Sequence, residues 1–284
     1  MLANQRVAAA GAAMGDDRHN LFDLAAANSG HLSMRLAQAE QQHGEPVSRF
    51  AEQVQRHGRM GVNASDRVVA KMAAGEALLN RHELDAQATA TATETNRAQR
   101  SSFHQRRIAF DGSFEDGHRF RYGSLTTGGM AATQYGLICL VLRDPSPLAF
   151  LKEDSLRRYV DESSLVVDLA GLSADLAPPS HRGALAAVKH AGAACACDAA
   201  RWPHLLHGGE GVYIEAVTTA DVTMDSVELV RLARSHQRQM VRRVLRARLR
   251  DGLEVEQDTE SRDYEQWRRA VAERDLPLEV VEDA

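Results

Sequence analysis

The sequence predicts an α+β fold, because strand-like and helix-like patterns occupy separate stretches of the chain. The continuous apolar run LICLVL at 137–142 is typical of a central strand buried on both faces. The run GVYIEAVTTADV, after a glycine-rich segment, is rich in β-branched residues and predicts another strand. After Gly61, apolar side chains recur at helical spacing in DRVVAKMAAGEALL. We therefore expect both strands and helices in the core domain.

Composition limits the class of protein. With 284 residues and 44% apolar side chains, the chain can bury one good core and carry an extra lobe. No stretch approaches the roughly 18 apolar residues of a membrane span, and a net charge of −5 argues against general nucleic-acid binding. Three cysteines cannot build a disulfide framework, which favours a reducing compartment. We expect a monomer that contacts neither membrane nor nucleic acid.

Residues 1–60 are predicted to form a helical N-terminal region, part of it disordered. Weak apolar spacing indicates short amphipathic helices at 23–41 and 46–57, broken at Gly44 and Gly58. These helices are expected to cap the core rather than to carry a site.

Arg67 lies at the entrance of the next predicted helix, whose N-cap candidates are Ser65 and Asp66. At that position a guanidinium can bind an anion together with free backbone N–H groups. A plain surface arginine is the alternative.

The threonine-rich segment that follows, 86–112, predicts an edge strand or a solvated loop. Its hydroxyls and Asn96 could form a polar wall for a sugar or a phosphate. Phe103 and Phe110 are typical of core residues.

Further strands are predicted at 120–126 and 136–143, then a strand and turn within 154–172, and an alanine-rich helix within 178–200. His190, Cys195, Cys197, His204 and His207 do not predict a zinc site. The two cysteines are one residue apart in the alanine helix, and no second well-spaced pair accompanies them.

Glu215 is a carboxylate inside an apolar strand, flanked by Ile214 and Ala216. Such a group either faces solvent from an edge strand or lies in a cleft where its charge has a function. Both interpretations remain open at this point.

The C-terminal part is divided by charge. The basic segment 231–250 predicts an amphipathic helix whose inward residues are Leu232, Met240, Val241, Val244 and Leu245. The acidic tail, 258–284, could instead dock a basic protein.

The order of these pieces resembles a bacterial family of ADP-ribosyltransferase effectors, the CteC-like group, which modifies threonine on host ubiquitin. The similar motifs are DRVVAKMAAGEALL, TATETN, IAFDGSFED, RYGSLTTGG followed by QYGLICLVLR, and GVYIEAVTTADV. They cover 61–253 in fragments, and the DR with its EALL helix and the YIEA strand are the most specific. The resemblance implies a catalytic domain at 61–257 with a split mixed β core around an NAD cleft.

The resemblance also implies site residues. Glu215 would be the catalytic glutamate and Arg67 would hold the phosphate or ribose region of NAD. The remaining NAD-binding positions would be Thr93, Thr95 and Asn96 as the hydroxyl-bearing element, Phe103 against the nicotinamide, and Tyr122 and Ser124 along the cleft.

The function implied is transfer of ADP-ribose from NAD to a threonine of ubiquitin, by an effector secreted into the host cytoplasm, which blocks ubiquitination. Two alternatives stay open: an NAD glycohydrolase toxin that uses water as acceptor, and a non-catalytic protein-binding module in which Glu215 faces solvent on an edge strand.

Overall fold

One mixed sheet of eight strands forms the centre of the α+β fold, and the predicted class is confirmed. The structure, a computed structural model, describes residues 18–91, 102–207, 213–249 and 258–282. The strands are β1 Arg59–Ala64, β2 Arg121–Thr126, β3 Ile138–Leu142, β4 Leu148–Leu151, β5 Leu176–Ala177, β6 Glu215–Thr218, β7 Val227–Ala233 and β8 Leu278–Val281. The helices are α1 Leu21–Ala27, α2 Ser29–His43, α3 Glu45–His57, α4 Asp66–Ala73, α5 Arg81–Thr91, α6 Ser102–Gly112, α7 Ser155–Arg158, α8 Leu169–Ala174, α9 Arg182–Ala196, α10 Trp202–Leu205, α11 Arg234–Leu249 and α12 Thr259–Glu273.

The strand order is β5-β4-β6-β2-β1-β3-β7-β8, and every neighbouring pair is antiparallel except β7 and β8. The strand that carries Glu215, β6, therefore lies between β4 and β2 and is not at an edge. β3 is buried along its whole length, as its apolar run predicts. None of the described helices is long and apolar enough to span a lipid bilayer.

Side-chain alternation gives the sheet two different faces. One face packs Met60, Val62 and Leu140 into a core that also contains side chains of α3, α9 and α12. The other face, which carries Val217, packs in part against a second core from α1, α6, α7 and α8. We call these the core face and the cavity face.

The N-terminal helices confirm the prediction for 23–41 and 46–57, with one additional break. Gly44 separates α2 from α3 and has a positive φ of 74°, which glycine adopts readily. The additional break is at Asn28, whose side-chain amide donates to the carbonyl oxygens of Ala174 and Leu176.

Within the 86–112 segment, the predicted strand or loop is wrong for the described residues. α5 continues to Thr91, and α6 begins at Ser102. A reciprocal capping box starts α5, because the Glu83 N–H donates to Asn80 Oδ1 at 2.9 Å and the Asn80 N–H donates to Glu83 Oε2 at 2.7 Å. These contacts outweigh the strand propensity of the threonines. Thr93, Thr95 and Asn96 lie outside the described residues.

The strand predicted within 154–172 is also wrong. Asp154 caps α7 by accepting the N–H groups of Leu156 and Arg157, and Asp168 caps α8. Only an isolated bridge between Val160 and Val167 remains of the strand pattern. The alanine-rich helix is confirmed as α9.

The basic segment is a strand and then a helix, so the prediction of one helix over 231–250 is wrong at its start. Leu232 is buried in β7, while Met240 and Val244 of α11 are buried as predicted. Val241 and Leu245 are exposed and not inward. The acidic segment contributes α12 and β8, and β8 extends the same sheet.

Candidate functional site

A cavity opens where β1 and β2 part. The described ladder between these strands runs from Arg59 paired with Thr126 to Gly61 paired with Ser124. Beyond that point β1 continues on β3 alone and β2 on β6 alone. The cavity, of about 360 Å³, is lined from β1, β2, α5, α6, the segment before α5 and the entry to β6. Its volume is within the range of small-molecule sites.

Strand register brings three polar side chains to the cavity. Ser124 pairs with Glu215 across β2 and β6, and Tyr122 lies two residues before Ser124. Directly paired residues, and residues two apart, share a face of the sheet. All three line the cavity, and Glu215 is only 4% exposed. The cleft interpretation of Glu215 therefore describes its position, and the edge-strand interpretation is wrong.

Both carboxylate oxygens of Glu215 have a hydrogen-bond donor within the protein. The Ser155 N–H donates to Oε2 at 2.9 Å, and Arg107 Nη2 lies 3.4 Å from Oε1. Burial raises the pKa of Glu215 to about 7, with nearby Asp154 adding to the effect, while Arg107 and Ser155 oppose it. The group is thus poised to change its protonation state near neutral pH.

Arg107, from α6, is the cation of the site. It is buried, it stacks over the ring of Tyr122 with 3.6 Å from Cζ to the ring centroid, and Nη1 donates to Ser155 Oγ at 3.0 Å. The same guanidinium lies 4.0 Å from Asp111, one turn later in α6. Arg107 therefore connects two buried carboxylates on the cavity face.

Asp111 anchors a second part of the network. The Tyr122 hydroxyl donates to Asp111 Oδ1, and His82 Nε2 lies 2.8 Å from Oδ2. The hydrogen bond with Asp111 raises the pKa of His82, against an opposing effect of partial burial. On the far side of Glu215, the Tyr213 hydroxyl donates to Asp154, and burial raises the pKa of this phenol. Tyr213 therefore remains a donor at physiological pH.

Two buried polar atoms of the cavity lining lack a hydrogen-bond partner within the described structure. They are Ser124 Oγ and Asn63 Oδ1, whereas Asn63 Nδ2 donates to the Gly136 carbonyl at 2.8 Å. Buried polar atoms are nearly always bonded, so unpaired ones in a cavity indicate a place for a polar ligand.

At the rim, exposed aromatic rings face the opening. Phe103 is 45% exposed and Tyr135 is 52% exposed, and both line the cavity. A flat heteroaromatic ring could stack on such side chains.

The structure brings together four of the predicted site residues: Glu215, Tyr122, Ser124 and Phe103. Arg67 is exposed on α4 and is not among the residues that line this cavity. The sequence interpretation missed Arg107, Asn63 and Tyr213. Arg107 is one helical turn from both Phe103 and Asp111, but that spacing is informative only once the segment is known to be a helix.

The described residues contain no group of three or more His, Cys, Asp or Glu side chains placed to hold a metal ion. His190 lies at a kink inside α9, Cys195 is exposed, and the rings of His204 and His207 are 4.9 Å apart.

Comparison with known proteins found no matching family profile, no matching curated protein and no matching solved structure.

Proposed function

We propose that this protein cleaves the nicotinamide–ribose bond of NAD and transfers ADP-ribose to a threonine of ubiquitin in the host cytoplasm. The observation that carries the proposal is the position of Glu215. It is a buried carboxylate in a cavity at the parting of two strands, with a pKa near 7. The opening between β1 and β2 supports the split β core that the sequence resemblance implies.

The reaction requires mainly a negatively charged group beside the ribose and a pocket that holds NAD. Breaking the glycosidic C–N bond sends the bonding electron pair to nicotinamide, which leaves neutral, and builds positive charge on the ribose. The ionised form of Glu215 would stabilise that charge and then accept the proton of the attacking hydroxyl, as the new C–O bond forms at the same carbon.

The other cavity residues fit a substrate of this kind. Ser124 Oγ and Asn63 Oδ1 offer hydrogen bonds to an amide or to ribose hydroxyls. Phe103 and Tyr135 offer flat apolar surface for nicotinamide. Arg107 would hold Glu215 in place rather than contact the pyrophosphate, because its guanidinium is already engaged by Glu215, Ser155 and Tyr122.

The binding-module alternative loses its premise, because β6 has a neighbour on both sides and Glu215 is buried. The glycohydrolase alternative shares the same cavity and differs only in the acceptor, so it is separated by experiment.

The test is incubation of the purified chain with NAD and ubiquitin, followed by intact-mass measurement of ubiquitin and quantification of free nicotinamide. Ubiquitin should gain one ADP-ribose unit on a threonine, and Glu215→Gln should abolish both the mass gain and nicotinamide release. Nicotinamide release without modified ubiquitin would replace the proposal by a glycohydrolase or by a transferase with another acceptor. No NAD consumption by the folded wild-type chain would refute the enzyme class.

A further inference from the structure

The surface between α11 and α12 forms a groove on the core-face side of the sheet. We define the α11–α12 groove by the lining residues Val241, Val244, Leu245, Tyr264, Arg268 and Arg269; Glu265 lies among them. It encloses about 360 Å³. Val241 is 39% exposed and Leu245 is 52% exposed, although the sequence pattern placed both inside. Paired exposed apolar side chains one turn apart mark a surface suited to burial against a partner.

A row of positive charge runs along the same helix. Arg238, Arg242 and Arg246 are exposed and spaced four residues apart, so they share one face of α11 over about 12 Å. No ion-pair partner for these three is found in the part of the chain that the structure describes. By contrast, Arg243 pairs with Asp258 and Glu260.

The arginine row and the groove belong to one surface. Arg238 precedes Val241 by three positions and Arg242 precedes Leu245 by three, so each of these arginines neighbours an apolar groove residue on the surface of α11. Arg268 and Arg269 add positive charge from the α12 side. This basic surface belongs to a chain whose net charge is −5, so the positive charge is concentrated locally rather than inherited from the whole protein.

The two helices hold the groove in a fixed shape. Arg243 binds Asp258 through two hydrogen bonds, from Nε at 2.5 Å and from Nη2 at 2.6 Å. Met240 and Val244 are buried in the main core, and Tyr264 packs edge-on against the buried Trp267. A preformed groove reduces the ordering cost of binding.

The groove and the Glu215 cavity are on different sides of the sheet. The core beneath the groove includes Leu140 and Leu232 and lies on the core face. Glu215 is two residues before Val217 and therefore lies on the cavity face. A molecule in the groove would therefore leave the cavity open.

We infer that the α11–α12 groove docks an acidic amphipathic helix of a partner protein. Apolar side chains of that helix at i, i+3 and i+4 would cover Val241 and Leu245, and its carboxylates would pair with the arginine row. The concave shape suits a helix better than the flat surface of a bilayer. The groove lacks the stacked aromatic platform of a single-strand nucleic-acid site.

The test uses a synthetic peptide of about 16 residues with leucines at i, i+3, i+4 and i+7 and glutamates at most other positions. Fluorescence anisotropy with the full chain should show saturable binding that weakens as salt rises. Arg238→Glu/Arg242→Glu/Arg246→Glu and, separately, Val241→Ser/Leu245→Ser should each weaken binding by at least about tenfold. The matched control Arg157→Glu/Arg158→Glu, on α7, should bind as the wild type does.

A companion peptide with lysine in place of glutamate should not bind. Circular dichroism and NAD cleavage of the triple variant should match the wild type, which separates loss of docking from loss of fold or of catalysis. The inference is overturned by no binding of the glutamate peptide at about 0.1 mM protein, or by equal binding to the triple variant. It is also overturned if phosphatidylserine vesicles or duplex RNA bind more tightly through the same arginines.

Discussion

Arg107 Nη2 lies 3.4 Å from Glu215 Oε1, and the two side chains, 108 positions apart in the chain, are both buried. Removing one partner of such a pair leaves an uncompensated charge in a low-dielectric site. The pair is therefore coupled: the ionisation of Glu215 depends on Arg107, and any catalytic role of Glu215 does as well.

The rate of NAD cleavage should depend on the ionisation of Glu215. Because the ionised carboxylate is the active form in the proposed chemistry, kcat/KM for NAD cleavage should rise with pH with a midpoint near 7. Glu215→Gln should reduce kcat/KM by about 10²-fold or more above pH 7, and its remaining activity should lack this midpoint. A wild-type profile that is flat between pH 5.5 and 8.5, measured as nicotinamide release, would contradict this role.

Stability should vary with pH in the opposite direction. A carboxyl with a raised folded pKa binds more protons when folded than when unfolded, between its ordinary pKa and about 7. The contribution of Glu215 to stability therefore falls as pH rises through that window and is level above it. Glu215→Gln should remove this fall, so the free energy of unfolding, measured by urea at pH 5 and pH 8, should differ less between the two pH values in the variant than in the wild type. An equal pH dependence in the two proteins would argue against this cause.

Arg107 should control the pH at which Glu215 ionises. Arg107→Met removes the charge that lowers the pKa of Glu215, so the midpoint of the pH–rate profile should move above 7. Stability at pH 8 should fall by about 3–5 kcal/mol, because Glu215 and Asp111 lose their shared cation. Arg107→Lys should bring the midpoint part of the way back to the wild-type value, because lysine keeps the positive charge but lacks the planar guanidinium.

The matched control is Arg106→Met. Arg106 is the neighbouring residue on α6, does not line the cavity, and donates to the Leu156 carbonyl at 3.5 Å. Its pH midpoint should equal that of the wild type. If both variants moved the midpoint equally, the effect would come from general charge and not from the ion pair.

The Ser124 hydroxyl should contribute to NAD binding rather than to stability. Its hydroxyl is fully buried and has no partner among the described residues, so Ser124→Ala should not lower the unfolding midpoint temperature. If the hydroxyl binds NAD, KM should rise about tenfold, the value of one lost hydrogen bond. Ser173→Ala serves as control, because Ser173 Oγ bonds the Leu169 carbonyl in α8, outside the cavity. A destabilised Ser124→Ala with unchanged KM would show a structural role instead.

Elements with strong local patterns could be predicted from the sequence. The apolar run of β3, the β-branched run of β6 and the alanines of α9 each carry their signal within one segment. The α5–α6 region could not be predicted in this way, because its threonines favour strand. The Asn80–Glu83 capping box that starts α5 is visible only when a helix start is sought there.

Site residues, too, could be predicted only where one segment of sequence carries the signal. Glu215 stands out in the sequence, since a carboxylate in an apolar strand needs an explanation. Arg107 does not, because arginine is common in this chain and its burial depends on contacts with β2, α7 and β6. Likewise, the sequence placed Val241 and Leu245 inside the core. Met240 and Val244 face the core, and Val241 and Leu245, each one position later and about 100° further round the helix, line the α11–α12 groove instead.

Gly61 lines the cavity and ends the described ladder between β1 and β2. A Cβ at this position would lie 2.8 Å from Cys139 Sγ and 3.0 Å from Thr126 Cγ2. Both distances are too short for carbon contacts, so Gly61→Ala should force the strands to shift and destabilise the protein by about 1–3 kcal/mol. The strands can move most easily where they already part, so the rate of NAD cleavage should fall by more than the loss of stability alone explains.

Gly192→Ala is the matched control, because the added carbon would have no described atom within 4 Å apart from the neighbouring residues and backbone of its own helix, α9. That variant should gain about 0.5–1 kcal/mol from helix propensity and keep full activity. Urea unfolding gives the stability of both variants, and nicotinamide release gives their activity. A Gly61→Ala protein with wild-type stability would show that the packing where β1 and β2 part is looser than the structure indicates.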